Sequence, residues 1–248
     1  MIPKTTNYRD LTLLELGEDV IVIACDSVGA IGAKKNDFLK TSGRIVGRFT
    51  ARVPLMEVMA AGAEPLVIVN TLSVEMEPSG KEIISGIKAE LTAAGLTDIT
   101  ITGSTEENMP TTQTGAGITV IGRTTTKALR LGRAQAGNLV YCLGRPRVGT
   151  EVLNATLPDI PLLRKLLAQE WITEILPVGS KGLLYEAGQL AAGAGAGFTL
   201  NAAAGVDVHC SAGPATSLLI ATAAERAADL AKLSDLDIFY LGKLHTQC

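Results

Sequence analysis

The stretch Ile21–Asp37, IVIACDSVGAIGAKKND, decides how the rest of the chain is read. Its opening, Ile21-Val22-Ile23, is apolar and β-branched, the composition of a buried strand. That strand is expected to end at a carboxylate, Asp26. A loop follows with Gly29 and Gly32 three apart, then Lys34, Lys35 and Asp37. An acid at a strand end is held in place by the sheet, and glycines let main-chain N–H groups come close to a ligand. Lysines on the same loop complete a set suited to a metal-complexed phosphate. A plain surface loop has the same local composition, so its meaning turns on what lies elsewhere in the chain.

The composition removes several function classes. A chain of 248 residues buries a substantial core, as one large domain or two modest ones. Aromatic residues make up only 4% and the net charge is −3, with no basic block. A nucleic-acid binder draws affinity from phosphate neutralisation and base stacking, and neither resource is present. The four cysteines (Cys25, Cys142, Cys210, Cys248) show no CxxC pairing, which fits inert thiols in a reducing, cytoplasmic compartment. No apolar run is long enough for a membrane span, and the polar start MIPKTTNYRD does not read as a signal.

Working outward from the opening stretch, Leu11–Leu16 and Val20–Cys25 read as a hairpin around Gly17-Glu18-Asp19. Ile45–Ala63 has helical apolar spacing, with Pro54 predicting a bend or restart. Leu66–Leu72 is a second strand. Ser79 and Glu82 form a capping-box pattern ahead of a helix closed by Gly95. Strands over Ile99–Thr102 and Thr114–Gly122 complete the first half, with the loop Gly103–Asn108 between them. Basic and small residues over Arg123–Gly137 mark a junction, giving domains 1–125 and 136–248. The second half reads as a strand at Asn138–Leu143, a helix at Leu162–Leu167 and a helix after Pro177–Gly182. A strand at Val206–His209, an Ala-rich helix over Ala215–Leu230 and a closing strand at Asp237–Leu241 follow. Pro214 suits the first turn of that helix, whose N-terminus beside Ser211 would be an anion site.

The common catalytic templates are missing. There is no GxxxxGK[ST], nucleophile elbow or HExxH, and His209 and His245 are too few for a zinc site. What remains is a set of separated carboxylates, Asp26, Glu57 and Glu106. Together with Mg²⁺ they would be hard-oxygen ligands for nucleotide phosphates, and phosphoryl transfer needs positioning and charge neutralisation above all. An ATP-dependent transferase is the chemistry these groups suggest.

The order of segments carries a resemblance. An acid on the strand, Glu57-Val58-Met59-Ala60-Ala61-Gly62-Ala63-Glu64-Pro65 on a long helix, and ITGSTEEN ahead of a Gly-rich strand resemble the aminoimidazole-ribonucleotide-synthetase-like (AIR synthase-like) superfamily. Its members include thiamine-monophosphate kinase, selenophosphate synthetase and the hydrogenase-maturation carbamoyl dehydratase. Asn138–Gly149, Gly179-Ser180-Lys181-Gly182 and Ser211–Pro214 resemble, more loosely, the family's second-domain motifs. ACDSVGAIGAKKND and PVGSKGLLYEA are most similar to the α-ribazole kinase branch, which phosphorylates the ribose 5′-hydroxyl of a cobalamin lower-ligand nucleoside. Thiamine-monophosphate kinase has acids where Ser180 and Lys181 stand.

The resemblance implies an α/β (α+β) two-domain fold. The first domain would donate strands to a β-barrel shared with a second copy, making a homodimer, and the second would be an α/β sandwich. It implies that Asp26, Glu57 and Glu106 hold Mg²⁺ on ATP and carry catalysis. Gly29, Gly32, Lys34, Lys35, Asp37, Arg52, Gly103, Ser104, Thr105 and Asn108 would contact the nucleotide, and Ser180, Lys181, Gly182, Ser211 and Gly213 the acceptor nucleoside. Whether Ser104, Thr105 or Glu106 takes the place of the family's aspartate stays open. The alternatives are a thiamine-monophosphate kinase-like phosphotransferase and a non-catalytic nucleotide-binding module. The carbamoyl dehydratase, which uses a terminal cysteine, is a weaker match because the tail LHTQC lacks its Pro-Arg lead-in.

Overall fold

A computed structural model describes residues 4–223 and 229–247. The chain divides into two compact units, Met1–Leu129 and Arg130–Cys248. In the first, β1 (Lys4–Tyr8), β2 (Leu11–Leu16) and β3 (Asp19–Gly29) form an antiparallel meander. Gly17, with φ +72°, makes the turn between β2 and β3. Two-residue strands β4 (Ile31–Gly32) and β5 (Leu39–Lys40) pair in parallel within the glycine loop. Then come α1 (Gly43–Ala60), β6 (Glu64–Leu72), α2 (Lys81–Ala93), β7 (Thr100–Thr105) and β8 (Gly115–Thr125). The six long strands make one sheet in the order β1-β2-β3-β8-β6-β7.

One face of this sheet is packed under α1. Val20, Val22 and Ala24 of β3 are buried, as are Ile118 and Val120 of β8, with Val58, Leu55 and Ala51 of α1. Asp26 continues the buried register of β3, and the strand runs on past it to Gly29, because β8 pairs with it along its whole length as far as Gly29↔Gly115. The expected strand end at Asp26 therefore lies three residues too early. α1 is one helix that passes Pro54 without a restart. Its crossing with α2 is close: a Cβ on Gly47 would collide with the Ile83 carbonyl, and one on Gly86 with that of Arg44. The opposite face, with Leu14, Ile21, Ile23, Val67, Val69 and Ile121, is only half-buried.

The expected capping box resolves differently. Ser79 Oγ donates to Glu75 Oε1 at 2.5 Å, and Glu82 Oε2 accepts from Gly43 N at 3.0 Å. Glu82 thus serves the first turn of α1, whose N-terminal N–H groups attract a carboxylate.

The second unit holds β9 (Leu139–Leu143), α3 (Ile160–Leu167), β10 (Ile172–Pro177), α4 (Gly182–Gly193), β11 (Ala196–Leu200), β12 (Leu218–Thr222) and β13 (Ile238–Thr246). Its antiparallel sheet has the order β10-β12-β9-β13-β11. Leu183, Ala187 and Leu190 of α4 pack with Val140, Cys142, Leu219, Leu241 and Leu244. Over the described residues 215–223 the Ala-rich helix expected at Ala215–Leu230 is not formed. Leu218–Thr222 is a strand between β10 and β9, buried at every position, and residues 224–228 lie outside the described residues. Burial on both faces overrides the helical preference of Leu and Ala. Val206–His209 is no strand either: the Asp207 carboxylate accepts His209 N–H at 2.9 Å and turns the chain.

Candidate active site

The topology gathers the C-terminal ends of β3, β6 and β7 at one end of the first unit's sheet, because β6 runs antiparallel to β8 and parallel to β7. Residues Asp26, Ile118, Asn70 and Gly103 stand in one row across it. Asn70 is buried and its Nδ2 donates to Thr102 O at 2.9 Å. A Cβ on Gly103 would overlap Asn70, so this glycine is needed for packing. Asp26 is half-buried, and burial pushes its carboxyl up to about 6 against the lowering bond from Ser27 N–H. A carboxylate raised in this way gains from a neighbouring cation.

Around that row the loops are tied to each other. Asp37 is buried, and burial alone would raise its carboxyl. It is held below the ordinary range because Oδ1 accepts Thr114 N–H at 2.7 Å while Oδ2 accepts the Thr114 hydroxyl at 2.7 Å and Lys34 N–H at 2.8 Å. Gly32, with φ +155°, leaves no room for a side chain beside Thr114 and Asp37. Lys34 Nζ donates to Glu75 Oε2 at 2.5 Å and to Thr111 O at 3.2 Å. For Glu75, burial works upward, but the Lys34 ammonium and the Ser79 hydroxyl bring it to about 2. Lys40 Nζ caps the carbonyls of Lys34 and Lys35. Lys35 is exposed on the same loop, and the space over Gly29 is open.

Several residues expected at the nucleotide have other partners here. Arg52 is buried, its Nε and Nη2 donating to Glu90 Oε1 and Oε2 at 2.6 and 3.1 Å, with Arg48 Nε adding 3.3 Å to Oε2. This joins α1 to α2 and leaves Arg52 turned to Glu90, while Asp37 and Gly32 shape the loop from inside. Glu106 braces its own loop, Oε1 accepting Asn108 N at 2.7 Å and Met109 N at 3.1 Å. The Thr105 hydroxyl donates to Glu107 Oε1 at 2.8 Å, which also accepts Met76 N–H at 2.8 Å. Ser104 is exposed. Glu57 is half-buried on α1, with Oε2 shielded from solvent.

The three acids are not drawn into one cluster. β3 and β7 are separated by β8 and β6, three strand spacings or about 14 Å. Among the described residues no three His, Cys, Asp or Glu side chains are grouped to hold a metal ion. The site therefore does not fit an all-protein cage. A half-buried carboxylate at Asp26 fits an ion such as Mg²⁺ that keeps waters and takes its other ligands from phosphates.

In the second unit the structure brings two expected segments together. Ala212 N donates to Gly179 O at 3.2 Å, and Leu184 N to Val208 O at 2.9 Å. Gly182, with φ +82°, lies so close to Cys210 O that a Cβ would sit 2.9 Å from it. Ser180, Lys181, Ser211 and Gly213 thus share one loop cluster, though the helix expected to begin at Pro214 is absent and its anion site with it. Lys181 Nζ donates to the Tyr185 hydroxyl at 3.1 Å and lies 4.4 Å from that ring's centroid. Cys142 is buried and its thiol pushed up to about 12 by that burial, an inert group. Cys25 is exposed, not buried as a strand cysteine would suggest, with Sγ 3.2 Å from Thr119 Oγ1. Cys248 lies outside the described residues. Glu75, Ser79 and Thr114 were not legible as site neighbours. The available signal was Glu75 itself, an acid shortly after the end of β6 at Leu72.

A family model described as the N-terminal domain of AIR synthase related protein matches residues 8–124. Residues 8–124 belong to that domain family, and the chain as a whole has the AIR synthase-like fold. Solved structures with this fold match nearly all of it. A thiamine-monophosphate kinase from Stenotrophomonas maltophilia K279a has 19% identity and a TM-score of 0.66, covering 96% of this chain and 87% of that one. Hydrogenase maturation protein HypE in complex with ATP has 15% identity and a TM-score of 0.68, covering 91% and 77%. AaThiL complexed with AMPPCP and TMP has 16% identity and a TM-score of 0.61, covering 96% and 85%. A comparison with curated proteins by sequence found no match. The AIR synthase-like fold stands as expected, as a mixed α/β structure. Among the described residues no helix is long and apolar enough to cross a membrane.

Proposed function

We propose that this AIR synthase-like chain is an ATP-dependent phosphotransferase acting on a small hydroxyl-bearing acceptor, with the α-ribazole ribose 5′-hydroxyl as the preferred acceptor. The observation that carries it is the half-buried Asp26 carboxylate, raised to about 6, next to the loop that offers Gly29 and Lys35. The similar structures of HypE in complex with ATP and of AaThiL complexed with AMPPCP support ATP as a ligand.

In this reading a Mg²⁺ bound with the nucleotide would supply charge neutralisation to its phosphates. Asp26 would hold that ion, while Glu106 braces the turn at Asn108 and Met109. Lys35 contributes an ammonium, and the bare main chain at Gly29 permits close approach. Lys34 works indirectly, holding the glycine loop to Glu75 and Thr111 so that Lys35 is presented in a fixed place. Ser180, Lys181 and Ser211 receive the acceptor. The half-buried apolar face with Ile21, Ile23, Val67 and Ile121 is the surface through which two copies would form a homodimer. A reducing, cytoplasmic setting goes with this role.

Thiamine monophosphate is the second acceptor to be weighed, because two of the similar structures are thiamine-monophosphate kinases or bind that compound. Ser180 and Lys181, in place of acids, favour the nucleoside. The test follows ADP release from Mg·ATP with α-ribazole, thiamine monophosphate and ordinary nucleosides in parallel. ADP formed only with α-ribazole supports the reading. Release with thiamine monophosphate alone changes the acceptor, and nucleotide binding without transfer to any of them makes the chain a binding module.

A further inference from the structure

Phe38 is the most exposed large apolar side chain among the described residues, with 94% of its surface open. The loop carrying it is firmly held. Its neighbour Asp37 takes three hydrogen bonds, and the N–H groups of Phe38 and Leu39 both donate to Ala30 O, at 2.8 and 3.2 Å. Ala30 has φ +58°, a left-handed conformation rare outside glycine and found where the surroundings enforce it. The pairing Ile31↔Leu39 and Gly32↔Lys40 closes the loop from the other side. A ring fixed at its base and bare at its faces, in a chain with only four phenylalanines, fits a stacking surface. It stands on the loop that follows Asp26 and displays Lys35, so a ligand with a phosphate at one end and a ring at the other matches both features.

We infer that Phe38 is the stacking platform for a planar heteroaromatic ring, that of a nucleotide or of a nucleoside acceptor. Its role as a specificity residue rests on the phosphotransferase reading, but its binding role can be measured without turnover. A second copy of the chain packing on Phe38 is the competing occupant.

The test compares the wild type with Phe38→Ala and with Phe38→Trp in a Trp171→Phe background, since Trp171 is the sole tryptophan. Calorimetry in Mg²⁺ buffer measures ATP, tripolyphosphate, adenosine and the nucleosides of the activity panel. Expected is a loss of about tenfold in affinity for ring-bearing ligands in Phe38→Ala, with tripolyphosphate unchanged. Phe38→Trp keeps the affinity, and its fluorescence is quenched as the ring stacks. A loss confined to ATP and adenosine assigns the ring to the nucleotide, and one confined to the acceptors assigns it to the nucleoside. Nucleoside binding that depends on Phe38 without any ATP binding keeps the platform and removes the kinase reading. Ring-bearing ligands unaffected by Phe38→Ala, unquenched tryptophan, or a change only in oligomeric state overturns the inference. So does a wild type that binds no ring-bearing ligand. A thermal midpoint unchanged from wild type checks that Phe38→Ala leaves the fold intact.

Discussion

At Asp26 stability and function pull in opposite directions. Its folded carboxyl titrates near 6, above the ordinary 3.8, because burial disfavours the charged form. Between those two values the folded state holds more protons than the unfolded one, so this group costs stability as the pH rises from about 4 to 6. Asp26→Asn removes that cost. Unfolding by denaturant without metal or nucleotide is expected to show the variant more stable at pH 7 by on the order of 2 kcal/mol, with the gain gone below pH 4. Turnover in the same variant is expected to be abolished. Affinity for Mg·ATP should fall in the wild type as the pH drops below 6, since protonation removes the ion's ligand. Asp26 was legible from the sequence as an acid on the key strand. Its burial was not, because that depends on β8 continuing the pairing to Gly115 from ninety residues away.

Whether α1 and α2 hold together depends on contacts no local pattern reveals. The family resemblance implied Arg52 as a nucleotide contact. Its partner, Glu90, is on another helix and buried with it, the side chains 8% and 2% exposed. Removing one member of such a pair strands the other charge, so Glu90→Ala is expected to cost about 3 kcal/mol in denaturant unfolding. A cost below 1 kcal/mol would mean that water reaches Arg52 freely. At the helix crossing, Gly47→Ala places a methyl against the Ile83 carbonyl and should cost about 2 kcal/mol or more, read as a lowered thermal midpoint. The strands of the first unit were readable because their apolar runs are β-branched and bounded by glycine. In the second unit Leu218–Thr222 was misread, since leucine and alanine suit a helix equally and only the sheet position settles the matter.

For the molecule as a whole, the separation of Asp26 from Glu106 by two intervening strands changes the picture drawn from sequence. Asp26 is a half-buried carboxylate within β3 and Glu106 is engaged in its own loop, so the proposed ion would take its remaining ligands from phosphates and water. The motifs of the first half pointed to the domain family that matches residues 8–124, because strand, acid and glycine loop are local features. The looser motifs of the second half placed two loops that do meet, without the helix expected to follow Pro214. Homodimer formation through the half-buried sheet face predicts that Ile23→Lys yields a monomer by light scattering, and an unchanged mass would rule that face out. The most direct measurement is calorimetry of Mg·ATP against the wild type and Asp26→Asn at pH 7.5. The account predicts saturable binding by the wild type that depends on Mg²⁺ and is lost or weakened at least tenfold in Asp26→Asn. Equal binding by both proteins, or none by the wild type, would contradict it.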